Sequence, residues 1–523
     1  MNGEVKKRVF QIIKAALFCI LLALVLYKVQ ETVTSKFPIS KVSLFYDEKK
    51  DYDVLMFGSS HMETYISPMD LWDDYGYTSY NFGNVGERVA QSYWTMRNAV
   101  NHKKPKIIIL DTYMFGRNYK HEEGRTDPTH TAWDGFPLTV TKIQGIRDMF
   151  DDSDIQLEFM FPFCKFHSRW NELNETDFYP KPSVSMGLRS YDEAYLLEVV
   201  PQKEPELTTE SIELNDEMTD VIYLNKFIEF CEEQDIRLLL VHTPYSAETA
   251  YQQCVNAAKQ LAAERGIPFI DFVAMDSVID VGIDMYNPSH VNPSGMRKVT
   301  HYIGDYLNAH YDLSDKRTNR EYDNWNEKYA AYSELKRGAL KRCKNVESSL
   351  MLLHDDDRSA IISIKKDSAL YKNELVMQVL QNINREHVLE ADKDIKSKEL
   401  ITLTQLADAQ ETGEEYVLAV NPKTKEIMEL TGAQENAVLN LNDNSFLYTV
   451  DDEGGYPVLM DMDEEKRESK KLKNYFSVKE DMSRPDMQIF ILDNRSNEIL
   501  MVKQFWVKGP VNEMTINGAV LAR

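Results

Sequence analysis

The chain has 523 residues, of which 43% are hydrophobic and 28% charged, enough apolar sequence for two or three ordinary domains and too much for a disordered protein. Its formal net charge of −24 argues against nucleic acid as a partner, because phosphate binding needs clustered lysine and arginine. The five cysteines have no regular spacing, which predicts free thiols rather than a disulfide framework or a metal site.

The amino terminus carries an apolar segment over residues 9–27, and a basic cluster precedes it. About 20 apolar residues span a bilayer, and the positively charged flank stays in the cytoplasm. We therefore expect a cytoplasmic tail over 1–8, an uncleaved single-pass anchor over 9–28 and a stalk over 29–50, with the bulk of the chain extracellular at the cell membrane. The competing interpretation is a cleavable signal peptide whose apolar core is 15–27.

Short apolar runs then alternate with segments of helical periodicity. The predicted strands are 54–57, 79–82, 106–110, 236–241 and 268–272, and the predicted helices between them are 87–101, 221–234 and 247–265. Alternation of this kind predicts an α/β domain, a parallel sheet covered by helices on both faces. It would occupy residues 51–310, with a long insertion at about 114–220.

The first predicted strand stops at Gly58, which two serines follow. In doubly wound α/β folds ligands bind at the carboxyl edge of the sheet, so this turn places a serine where chemistry takes place. The other interpretation is a strand, a turn and a serine that caps the next helix.

A second turn-rich stretch carries His290, with Asn287 three residues and Asp284 six residues before it. A histidine oriented by an acidic or amide side chain can act as a general base. The two stretches together favour a serine nucleophile with a distant histidine.

These motifs resemble those of the SGNH (GDSL-type) hydrolase superfamily. They are Gly-Ser-Ser after the first strand, Asn-Phe-Gly after the second, and Asn-x-x-His-x-Asn-x-x-Gly ending at Gly295. More narrowly, the chain is similar to membrane-anchored members such as D-alanyl-lipoteichoic-acid transfer proteins and polysaccharide O-acetyltransferases. The resemblance implies a flavodoxin-like sheet of five strands and chemistry without a metal or organic cofactor.

Carried over residue by residue, the resemblance makes Ser60 the nucleophile and His290 the base. It implies that the amide of Ser60 and that of Gly83, or second that of Gly86, bind the oxyanion. A simpler interpretation is that both glycines allow positive φ in a tight connection. The family's third oxyanion donor is an asparagine after the next strand, where this chain has Leu-Asp-Thr-Tyr ending at Tyr113.

A further departure is Asn287, since family members carry aspartate there. Three arrangements stay open: a Ser60-His290-Asp284 triad, a Ser60-His290-Asn287 variant, or a domain that has lost its chemistry.

The insertion contains an aromatic stretch with His167, Arg169 and Trp170, a mixture suited to stacking on sugar faces. The alternative is a small aromatic core of the insertion, because aromatic side chains are usually buried. Beyond the α/β domain, 311–345 reads as a charged connecting helix and 346–523 as a smaller α+β module of short strands and hairpins.

The sequence thus predicts an exported, membrane-anchored serine esterase or O-acyltransferase that acts on a cell-surface glycan or glycopolymer through an acyl-enzyme on Ser60. The resemblance implies a multi-pass membrane acyltransferase as partner. The alternative is a catalytically decayed scaffold that binds glycan or assists assembly.

Overall fold

The structure is a computed structural model of the chain. It describes residues 3–34, 42, 44–178, 197–275, 278–354, 358–383, 385–389, 395–400, 403–422, 424, 426–432, 437–451, 454–460, 484–494, 499–508 and 515–522. Residues 179–196 of the predicted insertion lie outside these ranges.

A long apolar helix, Gly3–Val33, lies at the amino terminus; we call it the anchor helix after the role that the sequence predicts for it. Its segment Lys7–Val33 has 27 residues; the most apolar stretch within it has a mean hydropathy of 2.6, and none of that stretch is buried inside the protein. The helix is therefore long and apolar enough to cross a membrane.

A five-stranded parallel sheet forms the centre of the α/β domain. Its strands are β1 Val54–Phe57, β2 Ser79–Asn81, β3 Ile107–Asp111, β4 Arg237–His242 and β5 Phe269–Asp271. Their spatial order is β2-β1-β3-β4-β5, the flavodoxin-like order that we predicted. In register, Val54 of β1 lies opposite Ser79 of β2 and Ile107 of β3. Because β1 and β3 are central and buried, β1 is a continuous apolar run and β3 is one up to its last residue, Asp111.

Helices pack around this sheet. In the first half of the domain and its insertion they are Ser60–Tyr65, Pro68–Tyr75, Val89–Val100, Asp127–Trp133, Val140–Met149, Ser153–Met160, Phe163–Phe166 and Glu175–Phe178. In the second half they are Thr219–Glu233, Thr249–Glu264 and Pro293–His310. The last of these contacts both Ser60–Tyr65 and Pro68–Tyr75, which ties the end of the domain to its first turn.

Two segments flanking the domain pack into it. Within the segment predicted as a stalk, Val42 and Phe45 are buried, and the Phe45 ring stacks on Tyr52 with centroids 5.3 Å apart. The predicted connecting helix is Asp323–Arg342, and its Trp325 is buried against Trp72 with centroids 5.4 Å apart. Both flanks therefore contribute to the core of the α/β domain.

The C-terminal part is a separate antiparallel region, as predicted. The strands of its main sheet are β8 Arg358–Ile364, β11 Tyr416–Asn421, β12 Glu426–Thr431, β16 Met487–Asp493, β17 Ile499–Lys508 and β18 Thr515–Ala522. Their spatial order is β12-β11-β8-β16-β17-β18. Smaller sheets are formed by β13 Ala437–Leu441, β14 Asn444–Asp451 and β15 Gly454–Leu459, by β9 Arg385–Leu389 and β10 Ile395–Leu400, and by β6 Met285–Asn287 and β7 His290–Val291 of the α/β domain. The helices of the C-terminal part are Val346–Met351, Glu374–Gln381 and Thr404–Thr412.

All five cysteines are free thiols, as the irregular spacing predicts. Cys231 and Cys343 are buried, and burial raises the pKa of the Cys231 thiol to about 12. Such a buried thiol stays protonated and is a poor nucleophile.

Candidate active site

Ser59 and Ser60, in the turn after β1, make different contacts. Gly58 has φ of +149°, and a Cβ there would lie 2.7 Å from the Cβ of Asp111, so only glycine fits. Ser59 is the N-cap of the next helix, since its hydroxyl accepts the backbone N–H of His61 at 3.2 Å. Ser60 is the first residue of that helix and is half-buried. The capping interpretation therefore describes Ser59 and leaves the side chain of Ser60 available.

Ser60 and His290 meet across 230 residues of sequence. The Oγ of Ser60 lies 3.0 Å from Nε2 of His290. This is hydrogen-bond distance, the geometry that a serine nucleophile and its general base require.

The other ring nitrogen of His290 faces Asn287. Nδ1 of His290 lies 3.1 Å from Oδ1 of Asn287. The same oxygen accepts the backbone N–H groups of Ser289 at 2.8 Å and of His290 at 2.9 Å. Because two backbone donors point at this atom, it must be the amide oxygen, and Nδ1 must carry the proton. Nε2 of His290 is then unprotonated and faces Ser60, as a base requires.

The loop that carries His290 is fixed at both ends. Strands β6 and β7 pair in a short antiparallel hairpin in which Asn287 lies opposite His290. Directly after it, Asn292 caps the helix Pro293–His310 by accepting the N–H of Gly295 at 3.2 Å, and its amide donates to the carbonyl of Ile283 at 2.7 Å. The backbone around His290 is therefore held in place on both sides.

Asp284, the other predicted orienting residue, has a different set of contacts. Both of its carboxylate oxygens lie 2.7 Å from Nζ of Lys298, and Ser294 donates to Oδ1 at 2.8 Å. The side chains of Asp284 and Lys298 are both nearly fully buried. This is a buried ion pair that joins the loop carrying His290 to the following helix, so the contacts favour Asn287 as the residue that orients His290.

The two candidate oxyanion glycines differ in their surroundings. The N–H of Gly83 donates to Oδ1 of Asn81 at 2.8 Å, and a Cβ at Gly83 would lie 2.3 Å from the backbone nitrogen of Glu63. Gly86 has φ of +66°, and a Cβ there would meet nothing within 4 Å. Glycine is thus needed at Gly83 because the backbone of Glu63 lies very close to it, and at Gly86 because its φ is positive. An oxyanion role of either amide stays a prediction.

A chain of buried polar side chains lies behind Ser60. Nδ1 of His61 lies 2.9 Å from the hydroxyl of Thr243, which donates to Oδ1 of Asp111 at 3.2 Å, and Ser59 donates to Oδ2 of Asp111 at 3.3 Å. Burial raises the pKa of Asp111 to about 7 and holds the pKa of His61 well below its usual range, so His61 is neutral.

Sequence reasoning missed Asp111 and Thr243 as site residues. Asp111 is the last residue of β3, and Thr243 directly follows β4. Both residues lie at the carboxyl ends of predicted strands, at the sheet edge that also carries Ser60, and this position could have identified them as site residues.

Tyrosine rings pack against His61. The His61 ring stacks on Tyr113 with centroids 3.3 Å apart, and it lies 5.5 Å from the His290 ring. The hydroxyl of Tyr65 donates to the carbonyl of Ser289 at 2.9 Å, which supports the loop that carries His290. The buried hydroxyl of Tyr245 has no hydrogen-bond partner within the described ranges, and burial raises its pKa, so it stays neutral; its ring packs edge-on against His61 with centroids 5.4 Å apart.

The structure places the predicted sugar-binding residues of the insertion beside the anchor helix. Arg169 donates to the carbonyl of Val33 at 2.6 Å and pairs with Asp177 at 2.9 Å. Nδ1 of His167 lies 2.9 Å from the carbonyl of Cys164, and the side chain of Trp170 is exposed. A role in sugar binding stays a prediction for all three.

Comparison with solved structures gives distant similarity. One of the similar structures, a crystal structure named as a "putative acylhydrolase" from Bacteroides fragilis, aligns with 51% of this chain and 93% of its own, at 12% identity and a TM-score of 0.25. No protein-family model matches the chain, and no curated protein matches it. Similarity at this distance does not indicate a function for this chain.

Proposed function

We propose that the chain is a membrane-anchored serine esterase or O-acyltransferase of the SGNH type. The observation that carries the proposal is the continuous path from Ser60 Oγ to His290 Nε2 at 3.0 Å, and from His290 Nδ1 to Asn287 Oδ1 at 3.1 Å. The path ends on an amide oxygen that two backbone N–H groups already hold in place.

The chemistry follows from these contacts. Ser60 Oγ attacks the carbonyl carbon of an acyl ester while its proton moves to Nε2 of His290. The resulting imidazolium keeps its Nδ1–H bond to Asn287, and backbone amides at the turn stabilise the tetrahedral oxyanion. When the C–O bond to the leaving alcohol breaks, His290 returns the proton to that alcohol and leaves an acyl-enzyme on Ser60. A water molecule or an acceptor hydroxyl then reverses these steps.

Asparagine in the orienting position changes the energetics of this step. It holds the same tautomer that an aspartate would hold, but it offers no charge to the imidazolium. Cysteine proteases with a Cys-His-Asn arrangement work with such an amide. We therefore expect a functional base whose protonated form is less stabilised than in an aspartate triad.

The proposed setting is the outer surface of a cell, with the amino terminus in the cytoplasm. The anchor helix is the observation behind this setting. Tethering raises the effective concentration of a membrane-derived acyl donor, which favours transfer to a cell-surface glycan over simple hydrolysis. A multi-pass acyltransferase would be the partner that supplies the acyl group.

The test of the reaction uses the full chain in detergent micelles with an acetyl-ester donor, with and without a glycan acceptor. Transfer predicts acylated glycan that is absent with Ser60→Ala. If free acid forms at the same rate with and without acceptor and the glycan stays unmodified, the protein is an esterase.

The test of the topology is external protease on intact cells, which should digest the region after Lys28. Protection of that region would contradict the surface location.

A second candidate is a decayed scaffold that binds glycan without chemistry. Asn287 in place of an acid, and the N–H of Gly83 donating to Asn81, are the observations in its favour. This candidate predicts glycan binding that Ser60→Ala leaves unchanged, together with no turnover of any ester.

A further inference from the structure

The end of the anchor helix is fixed to the insertion by one arginine. Nη1 of Arg169 donates to the carbonyl of Val33, the last residue of the helix, at 2.6 Å. Its Nη2 pairs at 2.9 Å with Asp177, whose side chain is 2% exposed. A cation at a helix carboxyl terminus satisfies carbonyls that have no partner within the helix. The insertion is therefore held at one level along the helix.

Beside this joint lies an apolar groove of about 600 Å³. One wall is the anchor helix, including Leu21, Leu24 and Val25, and the other wall is the insertion, with Trp170 and Phe178. Trp170 is 71% exposed and Phe178 57% exposed, high values for side chains of this size. Of the described residues that line the groove, Lys28 alone is charged.

The depth of the groove follows from the anchor helix. If residues 9 to 28 cross the hydrocarbon core, the stretch from Leu21 to Tyr27 lies within about 10 Å of its outer boundary, at about 1.5 Å per residue. Lys28 then lies at headgroup level and Trp170 near it, the depth at which tryptophan is enriched in membrane proteins. The lower part of the groove opens into lipid rather than water.

We infer that this groove binds one acyl chain of a phospholipid from the leaflet next to the α/β domain. An apolar groove at this depth is surrounded by lipid tails, and Lys28 at its upper end can face the lipid phosphate. The Lys28 side chain is 74% exposed although it pairs with Glu31 at 2.6 Å, so its ammonium group is accessible to a phosphate. The inference rests on the membrane anchoring proposed above and is independent of the chemistry at Ser60.

Such a lipid would set the position of the catalytic domain. Arg169 and the bound chain together would hold the insertion against the membrane, with the domain at a constant height above it. A transferase fed from the bilayer gains from that constraint, because orientation and proximity are then provided before the donor arrives.

The first measurement places Trp170 in the bilayer. The full chain is reconstituted into phosphatidylcholine and phosphatidylglycerol vesicles whose acyl chains carry bromine near the headgroup end, and tryptophan fluorescence is recorded. The chain has six tryptophans, and all except Trp170 are at most 8% exposed. We expect partial quenching that Trp170→Phe removes. Equal quenching in wild type and Trp170→Phe, or none in either, would overturn the inference.

The second measurement identifies the occupant. Leu24→Phe fills the groove, whereas Leu26→Phe makes the same change at a residue of similar exposure that does not line it. After purification in mild detergent, native mass spectrometry should find one phospholipid on wild type and Leu26→Phe, and at least tenfold less on Leu24→Phe. Equal retention in the two variants, or a polypeptide in place of lipid, would contradict the inference.

Alkaline carbonate extraction tests the membrane anchoring separately from lipid binding in the groove. If the protein stays with the membrane but Trp170 is not quenched, the anchor stands and the groove inference fails. If carbonate releases the protein, the proposed anchoring fails and the groove inference with it. Ester turnover at Ser60, measured on the same sample, reports independently on the proposed chemistry.

Discussion

His290 Nδ1 and Asn287 Oδ1 lie 3.1 Å apart, and two backbone N–H groups fix the same oxygen. The side chain of Asn287 therefore cannot rotate its NH₂ group toward the ring without losing both backbone bonds. This relationship fixes the tautomer of His290, because Nδ1 must donate and Nε2 must accept from Ser60. A neutral amide thus supplies the orientation for which serine hydrolases commonly use a carboxylate.

The first prediction concerns this amide. Asn287→Ala removes the acceptor for Nδ1 and for two backbone donors, so we expect a loss of kcat on the order of 10²–10⁴, the range for losing an effective general base. Asn287→Asp keeps an oxygen in place and adds charge beside the imidazolium, so its activity should equal or exceed that of wild type. Initial rates with an acyl ester measure both. An Asn287→Ala variant with unchanged kcat would rule out the orienting role.

The second prediction concerns the buried pair of Asp284 and Lys298. Asp284→Asn leaves the Lys298 ammonium buried without its counter-charge, which costs about 3–5 kcal/mol of stability. The double variant Asp284→Asn with Lys298→Met removes both charges, so we expect most of the melting temperature and the activity to return. If the double variant is stable but stays inactive, Asp284 has a role in catalysis beyond folding.

The third prediction uses the matched glycines after β2. Gly83→Ala would place a Cβ 2.3 Å from the backbone nitrogen of Glu63, in the helix that begins at Ser60. Relief of this clash would require the backbone of that helix to shift. Gly86→Ala meets nothing within 4 Å and has only the strain of φ +66°, about 1–2 kcal/mol. Activity should therefore fall far more in Gly83→Ala than in Gly86→Ala. Equal effects would mean that the close approach at Gly83 does not position the nucleophile.

The fourth prediction is a pH dependence of stability from Asp111. Burial raises its pKa from 3.8 to about 7, so between these values the folded protein keeps a proton that the unfolded chain releases. The contribution of Asp111 to the free energy of unfolding is therefore fully present below pH 3.8, the pKa in the unfolded chain. It is lost as the pH rises to about 7, the pKa in the folded protein. At about 1.36 kcal/mol per pKa unit, this loss is on the order of 3 kcal/mol between about pH 5 and pH 8.

Asp111→Asn removes that titration and keeps an oxygen that can accept from Thr243. Melting temperatures at about pH 5 and pH 8 should therefore differ less in Asp111→Asn than in wild type. The difference between the two proteins isolates Asp111, since His61 and the other groups titrate in both. A parallel pH dependence in the two proteins would contradict a raised pKa.

The sheet of the α/β domain could be predicted because buried parallel strands are continuous apolar runs that alternate with amphipathic helices. The boundaries of the predicted strands agree with the structure to within two residues; β2, for instance, ends at Asn81 rather than at residue 82. The ends of strands are the hardest part to predict from sequence, because adding or removing one flanking residue hardly changes the hydrophobic periodicity.

The choice between Asp284 and Asn287 could not be made from sequence. Ser294 and Lys298 lie one helical turn apart and both face Asp284, which is apparent only once the helix is known to begin at Pro293. The contact between Asp111 and Thr243 joins residues 132 positions apart and needs the strand order. The position of Trp170 against the anchor helix likewise depends on tertiary packing that no local pattern records.

The most direct test of the account is covalent labelling of the full chain in detergent micelles with a serine-directed fluorophosphonate. The account predicts labelling on Ser60 that Ser60→Ala abolishes, whereas Ser59→Ala retains it and loses only a helix cap, about 0.5–2 kcal/mol of stability. Labelling should also fall when His290 is replaced by alanine, because Ser60 is a weak nucleophile without its base. Labelling that survives Ser60→Ala, or a folded wild-type protein that takes up no label between about pH 6 and pH 9, would contradict a serine nucleophile at this site.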